Sequence, residues 1–157
     1  MSASSSPSAF AIDLDGAIGD TRPLWRDWLA DAARVLPLDV AGLPADRGSA
    51  ADALDAEGGN WRALLERFAE ERAPVYLRPR AETSAALRQL GAAGATLGVF
   101  TDAPLELARV ALSQLGAARR VSHVVTGPDA LERLVAELGP DAAVVRTAAE
   151  LVAAATP

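Results

Sequence analysis

Asp13 and Asp15 are two carboxylates one residue apart, and Gly16 follows them directly. In extended chain, residues i and i+2 point the same way. A pair spaced like this can therefore present both acids to one side. Gly16 tolerates the sharp turn that must come next. Two such carboxylates can act as nucleophile and general acid, or can share a cation, because unequal surroundings separate their pKa values. Taken alone, the same spacing also describes turn aspartates that bond their own backbone. The elements around the pair decide how much weight it carries.

Four short apolar runs read as strands: Ala9 to Asp13, Thr96 to Thr101, Val121 to Val125 and Ala142 to Arg146. They are continuous rather than alternating, as expected for strands buried on both faces of a parallel sheet. Helical patterns lie between them. One runs from Ala81 to Leu90 with Gly91 as its stop, and one opens at Asp102-Ala103-Pro104 and runs to about Leu115. A third opens at Asp129 and ends near Gly139, and the last covers Thr147 to Ala155. This alternation predicts βαβ units. Residues 20–80 break the rhythm with two or three helices and no strand. Pro23 to Leu36 and Trp61 to Arg72 are the clear ones, separated by a Gly/Pro/Asp-rich stretch. Asp13 thus closes the first strand, and ligands of open α/β sheets bind beyond the carboxyl ends of the strands. Thr101, at the end of a second strand and before a helix start, adds a hydroxyl and free amides, a combination suited to an anion.

The run from Asp13 to Thr21, with Thr101-Asp102-Ala103-Pro104 downstream, resembles the first two motifs of the haloacid dehalogenase superfamily. The resemblance extends over roughly residues 9–152. It implies an α/β fold: a three-layer Rossmann-like core with a parallel sheet, ordered last, first, second, third strand, and a helical cap inserted after strand 1. The expected division is a disordered tail at 1–8 and one domain at 9–157, with core 9–19 and 81–157 and cap about 20–80. On this resemblance Asp13 is the nucleophile that forms an aspartyl-phosphate. Asp15 protonates the leaving alcohol and later activates water. Thr101 holds phosphoryl oxygens, Gly16, Asp102 and Arg146 meet the substrate, and Mg²⁺ sits on Asp13, the backbone carbonyl of Asp15, and Glu150. The implied partner is a small phosphorylated molecule.

The chain departs from the family pattern at the third and fourth motifs. Val125-Thr126-Gly127-Pro128-Asp129 stands where a lysine or arginine is expected, and Arg119, Arg120 and Arg133 fall outside the place. The fourth motif reads Arg146-Thr147-Ala148-Ala149-Glu150, with arginine in the position of its first acid. A catalytic metal contributes several kcal/mol, so its loss costs roughly a thousandfold in rate. Two readings follow, a phosphatase-like hydrolase and a catalytically impaired protein with a binding or regulatory role. A receiver domain, which also uses aspartates and a threonine, fits less well because lysine is absent and the acid pair ends the first strand.

Composition narrows the rest. The chain has 157 residues, half of them hydrophobic and 23% charged, which suits one globular domain. All fifteen basic residues are arginine, and net charge is −6 without a basic stripe, so no nucleic-acid partner is expected. Cysteine is absent and His123 is the single histidine, which removes disulfides, thiolate chemistry and multi-histidine zinc sites. His123 and the tryptophans Trp25, Trp28 and Trp61 read as packing residues. Asp20 and Thr21 read as hinge candidates, and Arg78 and Arg80 as a solvated pair flanking the return to the core. The N-terminus lacks a signal-peptide pattern and no run is long enough for a membrane span, so a cytoplasmic location is expected.

Overall fold

The computed structural model describes residues 5–37, 39–57 and 59–157. Of the expected tail, residues 1–4 lie outside the described residues. Four strands form one parallel sheet: β1 (Ala9–Asp13), β2 (Thr96–Thr101), β3 (His123–Thr126) and β4 (Ala143–Val145). Their order is β3-β2-β1-β4, so the strand that carries Asp13 is interior. The register sets Asp13 beside Phe100 and Thr101 beside Thr126.

Both faces of the sheet are covered, and this explains the continuous apolar runs. Phe10, Ile12, Leu97 and Val99 pack with Leu87 and Leu90 of α4 (Ala81–Ala92), Leu112 of α5 (Leu105–Gln114) and Leu151 of α7 (Ala148–Ala155). Ala11, Phe100 and Val125 pack with Ala130 and Leu134 of α6 (Ala130–Leu138) on the other face. These are the three layers of an α/β domain. Helix α4 runs past Gly91, which has open space around it and costs the exposed helix end little.

Between β1 and α4 stand three helices, α1 (Arg22–Val35), α2 (Arg47–Glu57) and α3 (Trp61–Tyr76). They share a separate apolar cluster built on Trp25, Trp28, Leu54, Trp61 and Leu65, which meets the sheet-bearing part through Ala103 and Leu107. The tryptophans stack in series, with ring centroids 5.2 Å apart for Trp25–Trp28 and 5.9 Å for Trp28–Trp61. Such pairs contribute about 0.5–1.5 kcal/mol beyond area burial. Helix α2 lies inside the Gly/Pro/Asp-rich stretch between the two clear helices. Its capping aspartate, Asp46, accepts the Ser49 N–H at 2.8 Å, and Ala50, Ala51 and Leu54 are its buried side. No helix among the described residues is long and apolar enough to cross a membrane.

Candidate active site

The chain leaves β1 at Asp13 and makes one wide turn over Leu14–Ile18, closed by the Gly19 N–H on the Leu14 carbonyl at 2.9 Å. Gly16 has φ +124°, and a Cβ there would stand 2.6 Å from the Arg146 carbonyl oxygen. Only glycine lets this turn lie against the end of β4. The turn places Asp13, Asp15, Thr101, Asp102 and Arg146 around one pocket of about 460 Å³, closed on its far side by Gly127, Pro128 and Asp129. Gly16 does not line it; it lines a separate cavity.

Asp15 is almost fully engaged. Its Oδ1 accepts the Thr21 N–H and the Thr21 hydroxyl, both at 2.7 Å. Its Oδ2 accepts the Thr101 hydroxyl at 2.8 Å and Arg47 Nη2 at 2.5 Å. Arg47 is the functional residue that sequence reasoning passed over. It is only 4% exposed. Its Nε and Nη2 also donate to Asp102 Oδ1 at 3.0 and 2.8 Å, and its own backbone N–H donates to Asp102 Oδ2 at 3.0 Å. Nη1 reaches the Thr21 hydroxyl at 2.7 Å. One buried guanidinium from α2 therefore joins β1, β2 and the start of α1. Bonds of this charge-assisted kind are about twice as strong as neutral ones. The sequence signal was an aspartate N-cap ahead of Arg47, but the surrounding Gly, Ala and Asp residues hid the helix.

Asp13 stands differently. Its Oδ1 accepts the Asp15 N–H at 3.1 Å, while Oδ2 faces Arg146 Nη1 at 4.0 Å and takes no hydrogen bond. Burial pushes its carboxyl up to about 6, and the charge of Asp15 adds to the rise; the Asp15 N–H and Arg146 pull it the other way. Arg146 also lies over the Phe100 ring, with Cζ 5.7 Å from the centroid, within cation–π range.

Two expectations are corrected. Glu150 is not turned to the acid pair. Its carboxylate accepts the Arg146 N–H at 2.7 Å while the Thr147 hydroxyl accepts the Glu150 N–H at 3.1 Å, which caps α7. Asp102 does not cap α5; it is spent on Arg47, and Pro104 stands at the N-cap. The donor set is also poor for Mg²⁺, which demands near-ideal octahedral oxygen coordination. Among the described residues no three acids or histidines gather to hold a metal ion, and Glu150, the fourth-motif acid, accepts the Arg146 N–H instead of turning to Asp13. The residues present do not fit the Mg²⁺ that the family resemblance implies.

The fold can now be compared with solved structures. A provisionally assigned β-phosphoglucomutase from Thermotoga maritima aligns at TM-score 0.52 and 20% identity, covering 94% of this chain and 81% of that one. CbbY from Rhodobacter sphaeroides, solved in complex with phosphate, aligns at TM-score 0.64 and 16% identity, covering 94% and 82%. The fold is haloacid dehalogenase-like. At these identities the likeness is one of fold. No family model and no curated protein matches the sequence. Within this fold β1, which ends at Asp13, is one of two interior strands, and α1–α3 lie between it and α4.

Proposed function

We propose that this chain is a haloacid dehalogenase-like phosphohydrolase in which Asp13 attacks a small phosphorylated molecule without help from a divalent cation. The observation that carries the reading is the free Asp13 Oδ2 at the end of an interior strand, facing Arg146 across an open pocket. Its oxygen would attack phosphorus as the bond to the leaving group breaks, giving an aspartyl-phosphate; water would then attack phosphorus and return the carboxylate and inorganic phosphate. Arg146 supplies positive charge to the phosphoryl oxygens. We further propose that residues 20–80 act as a cap over a core of 9–19 and 81–157, with α2 as its inner face.

The saturation of Asp15 shapes the chemistry. Both oxygens of Asp15 are occupied by Thr21, Thr101 and Arg47, so it is not placed to protonate a leaving alkoxide. The favoured substrates are those whose leaving group is already stable, acyl and aryl phosphates. The test is a leaving-group series with acetyl phosphate, p-nitrophenyl phosphate and a simple alkyl phosphate. Turnover should fall steeply along the series and vanish with Asp13→Asn. An alkyl phosphate cleaved as fast as the aryl one, or an Asp13→Asn enzyme as active as the parent, would overturn the assignment.

One observation favours a second reading. Arg47 bonds both Asp15 and Asp102, which holds α2 across the site as a structural tie. In that reading the pocket binds a phosphorylated molecule and does not cleave it. Calorimetry with inorganic phosphate, together with no turnover of acetyl phosphate, separates it from the first.

A further inference from the structure

A second cavity, about 500 Å³, lies against the β1 turn at Gly16 and shares Arg22 with the Asp13 pocket. Gly16, Gly19, Arg22, Tyr76, Arg78 and Arg80 are among its lining residues. It lies at both places where the chain passes between the sheet and the α1–α3 insertion: outward through Asp20 and Arg22, and back through Leu77 to Arg80. In a chain of net charge −6, this cavity is lined by three arginines and one acid.

The acid is already taken. Asp20 Oδ1 accepts Arg22 Nε at 2.8 Å and Oδ2 accepts Arg22 Nη2 at 3.1 Å, a two-pronged pair. Among the described residues, neither Arg78 nor Arg80 enters an ion pair. Arg78 and Arg80, both exposed and separated by one residue, therefore line the cavity without a paired acid. Arg80 is also the N-cap of the twelve-residue helix α4, whose first turn has no side-chain cap. Glu82, the acid in that turn, does not line the cavity. A helix start contributes partial positive charge, and a concave wall focuses the field of the arginines. Guanidinium groups match phosphate oxygens bidentately.

We propose that this cavity is an anion site for a small ligand carrying more than one phosphate charge, held by Arg78 and Arg80. Occupancy would tie the return crossing of the insertion to the β1 turn and so couple the ligand to the attitude of α2 over Asp13. The inference does not depend on what reaction occurs at Asp13.

Isothermal titration with inorganic pyrophosphate tests it. Binding should weaken tenfold or more in the Arg78→Gln/Arg80→Gln double variant and stay within twofold of the parent in Arg146→Gln. In the parent protein, pyrophosphate should slow amide hydrogen exchange at 16–22 and 77–83 and leave 100–102 unchanged, a readout that needs no variant. The proposal is overturned by any of three results: no pyrophosphate binding, binding unaffected by the double variant, or loss in Arg146→Gln with protection confined to 100–102.

Discussion

Arg47 joins more of this molecule than any other polar side chain near the site. Its guanidinium and backbone N–H together make five contacts with Asp15, Asp102 and Thr21 at 2.5–3.0 Å. Removing one member of a buried ion cluster leaves the others uncompensated, at a cost of about 3–5 kcal/mol. Arg47→Ala should therefore lower unfolding free energy by about 3 kcal/mol, the lower end because Asp102 keeps some solvent contact; urea denaturation measures it. Asp13 gives the opposite kind of prediction. Its folded carboxyl titrates at about 6 rather than 3.8, so the native state holds its proton more tightly than the unfolded chain. That contribution is full below about pH 4 and is lost as pH rises through 6. Asp13→Asn should then stabilise the protein at pH 8 by about 1–3 kcal/mol and change little at pH 4. Carboxyl carbon NMR should find Asp13 near 6, lower in Asp15→Asn and higher in Arg146→Gln.

Helix α2 is where sequence and structure part company. The strands and α4 to α7 could be read from apolar runs and their spacing, because burial on both faces writes itself into composition. The sheet order and the place of Arg146 beside Asp13 followed from the family resemblance, whereas Asp13 and Thr101 at the carboxyl edge were legible as strand ends. Helix α2 was not legible, because its buried side is Arg47, Gly48, Ala50, Ala51 and Leu54, with a single large apolar residue, and its tertiary role rests on close approach rather than on an apolar stripe. Gly48 shows this. A Cβ there would stand 2.6 Å from Pro128 Cδ and 2.8 Å from its nitrogen. The helix is pressed onto the β3–α6 connection, in the place of the missing third motif. Overpacking at a tight contact costs about 1–3 kcal/mol. Gly48→Ala should lower stability by that amount and speed amide exchange across Arg47–Glu57, whereas Gly91→Ala, with open space around it, should leave both unchanged or slightly improved. Glu150 taught a related lesson: its spacing matched a metal ligand, but the same spacing from Thr147 also makes a helix cap, and the cap is what forms.

At the scale of the whole molecule, a haloacid dehalogenase-like fold here carries an acid pair with one expected positive partner and one unexpected one. Arg47 arrives from the inserted helices and Arg146 from the end of β4. Arg47 is paired with Asp15, and Arg146 faces Asp13. The account therefore rests on arginine charge in place of a divalent ion. The direct test is acetyl phosphate turnover by the parent protein and by Asp13→Asn, each measured in EDTA and in millimolar Mg²⁺. The account predicts equal parent rates in the two buffers and at least a hundredfold loss in Asp13→Asn. A parent rate that appears only with Mg²⁺, or an Asp13→Asn rate matching the parent's, would contradict it.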